Sequence, residues 1–83
     1  MAVLLIVEDD TATNEAICEY MSSAGHTTLS ALDGEQGLQI AREKSVDLVV
    51  LDIMLPKRTG LEVLKELRQI SNIPILMLTA LDD

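Results

Sequence analysis

Aromatic side chains are almost missing from this chain of 83 residues, which has one Tyr, no Phe and no Trp. With 48% of its residues hydrophobic, any core it forms has to be aliphatic, built from Leu, Ile, Val, Met and Ala. Cysteine occurs once, as Cys18. No internal disulfide can form, which favours a reducing compartment. Inside a predicted helix, Cys18 reads as a buried structural thiol. Bases are scarce: six Lys and Arg against fourteen Asp and Glu, for a formal net charge of −8. No basic patch is available to neutralise phosphates, which argues against direct nucleic-acid contact. The same balance suits a protein that attracts cations or a basic partner surface. Long apolar runs are absent too. The N-terminal Ala2–Val7 run is too short for a signal peptide and lacks its basic flank. No segment is long enough to span a membrane. These features predict a cytoplasmic protein of one small domain, residues 1–83.

The stretch that organises the chain is VDLVVLDIMLPKRTG, Val46 to Gly60. Its apolar run from Leu48, bounded by charged residues before and Pro-Lys-Arg-Thr-Gly after, predicts a strand buried on both faces. Asp52 interrupts that run. A carboxylate there is costly unless it sits at the open end of the strand or finds a cation or hydrogen bonds. It could simply end a strand. It could also mark an acidic site at the carboxyl end of a parallel strand, where open α/β sheets place their ligands.

Ala2–Val7 (AVLLIV) predicts another buried strand, stopping at Glu8-Asp9-Asp10. Asp10 or Thr11 could cap a helix over about 12–24, with Ile17, Met21 and Ala24, flanked by Ala16 and Tyr20, at helical spacing and Gly25 to end it. His26–Leu32 predicts a weaker edge strand, with His26 as a turn or surface residue. A second helix follows Asp33-Gly34 from about Glu35 to Lys44, turning Leu38 and Ala41 to the sheet, with Gly37 weakening it or permitting close packing. After the central strand, a third helix is expected from Thr59 or Gly60 to Ile70, its apolar side formed by Leu61, Val63, Leu64 and Leu67. Ile73–Leu78 (IPILML) predicts a fourth strand, ending at Thr79. The order β-α-β-α-β-α-β implies an α/β fold, a doubly wound parallel sheet with helices on both faces.

With the first strand beside the third, their following loops meet at a topological switch point and deliver Glu8, Asp9 and Asp52 there. Three carboxylates so close repel one another unless a cation is present. Mg2+ is the natural candidate, as a hard ion with oxygen ligands that often joins carboxylates to a phosphate. The Met54 backbone carbonyl is a plausible further ligand. Thr79, at the same edge of the sheet, could reach an oxygen of a bound phosphoryl group.

LLIVEDD, the DG of ALDG, DLVVLDIMLPKRTG and PILMLTA match, in order and spacing, the receiver domain of two-component response regulators, which the whole chain closely resembles. The resemblance implies a flavodoxin-like strand order of 2-1-3-4-5. It implies that Asp52 accepts a phosphoryl group from a phosphohistidine on a sensor histidine kinase. By position, Asp9, Asp52 and the Met54 carbonyl would ligate Mg2+, Glu8 would act through water, and Thr79 would be the switch hydroxyl. The sequence style is similar to that of regulators with a winged-helix DNA-binding output domain. The chain departs from the family in its extent. The last strand and last two helices of a receiver are missing, and with them a Lys that pairs with the phosphoryl group; Lys57 and Lys65 fall in the wrong elements. The expectation is about two thirds of a receiver, cut from a longer regulator. Its fourth strand would form an open edge and its first helix's face of the sheet would be exposed, so that it self-associates as a homo-oligomer.

Three rival readings make different demands on these residues. A phosphohydrolase with an Asp nucleophile would want a second acid where Met54 stands. A dinucleotide-binding domain would want a glycine-rich turn where Glu-Asp-Asp-Thr stands. The remaining alternative is a truncated, self-associating interaction module that no longer holds phosphate.

Overall fold

Four parallel strands, β1 (Val3–Val7), β2 (Thr27–Ala31), β3 (Leu48–Asp52) and β4 (Ile75–Leu78), form a single sheet in the order β2-β1-β3-β4. Three helices connect them: α1 (Thr11–Ser23), α2 (Gly34–Glu43) and α3 (Gly60–Ile70). The computed structural model describes residues 1–56 and 58–78, so Lys57 and Thr79 lie outside the described residues.

The two central strands are the apolar runs. Leu5, Ile6, Val49 and Leu51 are fully buried or nearly so, each contributing on the order of 2 kcal/mol by leaving water. Because side chains alternate along a strand, the runs feed two separate cores. Leu5, Val7, Val49 and Leu51 meet Leu38 of α2 and Val63 and Leu67 of α3 on one face. Leu4, Ile6 and Val50 meet Ile17, Cys18 and Met21 of α1 on the other. The second core is much the smaller, since α1 covers it alone among the described helices.

Local chemistry sets the helix ends. Asp10 caps α1 by accepting from the Thr13 N–H, and Asp33 caps α2 by accepting from the Gln36 N–H. Thr59 and Glu62 form a reciprocal capping box at α3. Gly25, at φ +96°, turns the chain out of α1. His26 sits just beyond, its Nδ1 accepting from the Ala2 N–H at 3.2 Å, which suits the expected turn role.

Four expectations need correction. Tyr20 is 73% exposed and Ala16 and Ala24 are exposed as well, because the stripe α1 turns inward runs through Asn14, Ile17, Cys18 and Met21. Cys18 is half-buried rather than buried, lying at the margin of the smaller core. Leu61 is 59% exposed, since α3 turns Gly60, Val63 and Leu67 inward and position 61 falls off that stripe. The fourth strand starts at Ile75 rather than Ile73, and it is only half-buried. Before it, Ile73 is held locally: its N–H donates to the Ser71 hydroxyl oxygen and its carbonyl accepts from the Arg68 guanidinium.

Gly60 fixes the approach of α3 to the end of β3. Its N–H donates to the Ile53 carbonyl at 2.7 Å. A Cβ at that position would overlap the Asp52 carbonyl oxygen and stand 2.6 Å from Ile53 Cα, both backbone atoms that cannot swing aside. Gly60→Ala is therefore expected to lower stability by about 3 kcal/mol in denaturant unfolding. Loss of less than about 0.5 kcal/mol, the range of an ordinary surface change, would contradict this packing.

Candidate functional site

The register of the two central strands builds the site. Val7 pairs with Leu51, so the residues immediately beyond, Glu8 on one strand and Asp52 on the other, leave the sheet side by side at its carboxyl edge. Ligand atoms of Glu8, Asp9 and Asp52 all lie within 4.8 Å of one another. Glu8 and Asp52 are buried, at 7% and 9% exposure, while Asp9 is exposed. The sequence expectation that these three carboxylates converge is met.

Backbone N–H groups hold two of the three. Glu8 Oε2 accepts the Asp10 N–H at 2.9 Å. Asp52 Oδ1 accepts the Met54 N–H at 3.1 Å, which keeps the Met54 backbone beside that carboxylate while its side chain stays 70% exposed. Thr79 lies outside the described residues. Asp10, the third acid of the triplet, is engaged in capping α1, and its bonds from the Thr13 hydroxyl and N–H hold its carboxyl below the usual carboxylate range.

Glu8 is displaced the opposite way. Burial pushes its carboxyl up; the bond from the Asp10 N–H opposes this, and the neighbouring Asp52 and Asp9 add to the rise. The site thus crowds negative charge into a poorly solvated edge, using oxygen donors only. That donor set matches a hard divalent cation, and the residues present fit Mg2+.

Two further residues support this region from outside the carboxylate cluster. Asn14, 2% exposed, reaches from α1 to the strand ends. It occupies the same i, i+3, i+4, i+7 stripe as Ile17, Cys18 and Met21, and a polar residue on an inward stripe was the available signal. Arg58, half-buried in the loop after β3, pairs with Glu35 of α2 and Glu66 of α3. Nothing in local spacing announces that bridge, because its partners come from two helices.

The family description "Response regulator receiver domain" matches residues 4–83. The uncharacterized transcriptional regulatory protein YcbL of Bacillus subtilis is 45% identical over 78 residues, covering 94% of this chain and 34% of that protein. The transcriptional regulatory protein AfsQ1 of Streptomyces coelicolor is 42% identical over 83 residues, covering 100% of this chain and 37% of that protein. The response regulator TrrA of Thermotoga maritima, solved in complex with Mg(2+)-BeF, superposes with a TM-score of 0.92 at 34% identity, covering 96% of this chain and 70% of that one. The chain spans about a third of the length of these curated relatives.

The raised Glu8 carboxyl sets a pH dependence. The folded state keeps a proton on Glu8 where the unfolded chain has lost it. The stability this confers is full below the ordinary value of 4.5 and declines as pH rises through the raised one. Asp10 acts in the opposite sense, but its contribution is already complete above its own ordinary value of 3.8. Metal-free protein should therefore lose stability as pH rises from 4.5 toward neutrality. Glu8→Gln keeps an acceptor for the Asp10 N–H and removes the charge. It should raise the neutral-pH melting temperature by roughly 4 °C, the shift produced by about 1 kcal/mol in a domain this small. An unchanged or lower melting temperature would contradict the charge crowding.

Proposed function

This chain belongs to the response regulator receiver domain family, and we propose on that premise that it takes a phosphoryl group onto Asp52 from a sensor histidine kinase. The observation that carries the reading is the placement of Asp52 at the carboxyl end of β3, its ligand atom within 4.8 Å of those of Glu8 and Asp9. Residues 1–83 then constitute about two thirds of a receiver unit. The output is transcriptional control through a DNA-binding domain outside this chain, in line with the transcriptional regulators among its relatives. Receiver domains are signalling modules rather than enzymes in the ordinary sense. A cytoplasmic setting belongs to the same proposal. Among the described residues no helix is long and apolar enough to cross a membrane.

Asp9, Asp52 and the Met54 carbonyl would hold Mg2+, with Glu8 contributing through a water molecule. A bound Mg2+ supplies positive charge for the oxygens of the transferring group. A carboxylate oxygen of Asp52 attacks phosphorus in line; the P–N bond to the kinase histidine breaks as the P–O bond forms, leaving an acyl phosphate on Asp52 and the imidazole on the kinase. The Met54 N–H, bonded to Asp52 Oδ1, orients the carboxylate for the attack. Thr79, which follows Leu78 in the sequence, would be the hydroxyl that holds the phosphoryl group, and the acyl phosphate biases the surface read by a partner.

β4 borders the sheet on one side, with Leu76 52% exposed. Among the described residues no strand pairs with the outer side of β4, which makes that edge, with the thinly covered α1 face, a surface for self-association.

Two outcomes separate this reading from an interaction module without phosphate. Incubation with Mg2+ and a small-molecule phosphodonor should add one phosphoryl mass to the wild-type chain, mapped to Asp52, and none to Asp52→Asn. A folded chain that gains no mass would favour the interaction module. Sedimentation of the same samples should show a dimer or larger species whose population grows with concentration; a monomer throughout would refute self-association.

A further inference from the structure

We propose that Asn14 is a positioning residue of the acidic site, a bracket from α1 that fixes where β1 releases Glu8 and Asp9. The proposal rests on the functional reading above and extends it to a residue outside the carboxylate cluster.

The side chain of Asn14 is among the most buried polar groups of the described residues and lies where β1 and β2 end. Its Nδ2 donates to the Glu8 carbonyl at 3.0 Å and to the Ala31 carbonyl at 3.1 Å, with the Ile6 carbonyl at 3.5 Å. Its Oδ1 accepts from the Ser30 hydroxyl at 2.7 Å and from the Cys18 thiol at 3.4 Å. Those two donors fix which end of the amide faces the carbonyls, so the bracket has one orientation. The Glu8 N–H meanwhile donates to the Ala31 carbonyl at 3.1 Å. Both backbone polar groups of Glu8 are thus engaged at the point where the chain leaves the sheet.

The Glu8 carbonyl belongs to the peptide unit joining Glu8 to Asp9. Holding that unit fixes the direction in which the Asp9 side chain leaves the backbone, and the Glu8 carboxylate is held from the other side by the Asp10 N–H. Asn14 touches none of the carboxylate oxygens in these bonds; it acts through the backbone. Donors that must meet one cation lose affinity when they wander, which is why groups that orient ligands matter almost as much as the ligands.

The test compares Mg2+ affinity by calorimetry in Asn14→Ala, Ser30→Ala and Thr28→Ala, each at a temperature where circular dichroism shows it folded. Thr28 is the control: its hydroxyl also joins β2 to α1, through Ser22 at 3.2 Å, but away from the acids. Asn14→Ala should weaken Mg2+ binding about tenfold. Ser30→Ala, which loses only the stronger donor to Oδ1, should weaken it roughly threefold. Thr28→Ala should leave it unchanged. A folded Asn14→Ala with wild-type affinity overturns the proposal, as does equal weakening in Thr28→Ala, which would mark a general effect of loosening α1. If Asn14→Ala does not fold, the exposed Ser30 site decides in the same way. If the wild-type chain binds no Mg2+, the functional reading fails, and the bracket is judged by amide hydrogen exchange. Faster exchange at Glu8 and Asp10 in Ser30→Ala than in Thr28→Ala supports it, and equal rates overturn it.

Discussion

The pairing of β1 with β3, Val7 level with Leu51, is the contact on which the rest of this molecule depends. Both strands are apolar almost to their ends and both finish in acid, so burying them side by side necessarily brings their carboxylates together. The hydrophobic gain is spread over seven buried apolar side chains on the two strands, while the repulsion is confined to one edge. Burial therefore dominates, and the sheet can carry an electrostatically unfavourable site. A one-residue slip in this register would turn every inward side chain to the other face, so core packing and carboxylate alignment are specified together.

What surrounds the edge stabilises it without neutralising it. The Asp10 and Met54 amides each bond one carboxylate, and Asn14 ties the strand ends to α1. Gly60 allows α3 to pack against the backbone after Asp52, and Arg58 links the same loop to α2 and α3. None of these contacts places a positive charge among the three acids. The cost of assembling the site therefore stays in the fold, where a divalent cation can relieve it. The two faces of the sheet are unequal: among the described helices α2 and α3 cover a continuous core on one side, while α1 alone covers a small one on the other. With β4 half-buried at the sheet's border, that thinner side is where a partner surface would gain most.

Much of this was legible in the residues. The strands declared themselves as apolar runs, and the order of strands and helices implied a parallel sheet whose first and third strands meet. From there the meeting of Glu8, Asp9 and Asp52 followed by topology, and the resemblance to receiver domains pointed to the same residues. What could not be read was rotation and reach. Periodicity located α1 but set its buried stripe too far toward Tyr20 and Ala24, because Asn14, which lies on that stripe, is polar and its bonding partners belong to β1 and β2. Leu61 looked like core by its chemistry, yet the direction of α3 is set by Gly60 and Val63 packing, which only the assembled fold reveals. The Arg58 bridge depends on where two helices end up relative to one loop, and no local pattern encodes that.

The most direct test of the central claim, that these three carboxylates form a cation site the apo fold holds at a cost, is thermal melting at neutral pH across a Mg2+ titration. A ligand bound only by the folded state stabilises it with a logarithmic dependence on concentration, by about 2.7 kcal/mol at a hundred times its dissociation constant. The account predicts a melting temperature that climbs with Mg2+ in the wild-type chain and stays flat once Asp9 and Asp52 are both replaced by Asn. A wild-type curve that does not move with Mg2+, or one that moves equally in the double variant, would contradict it.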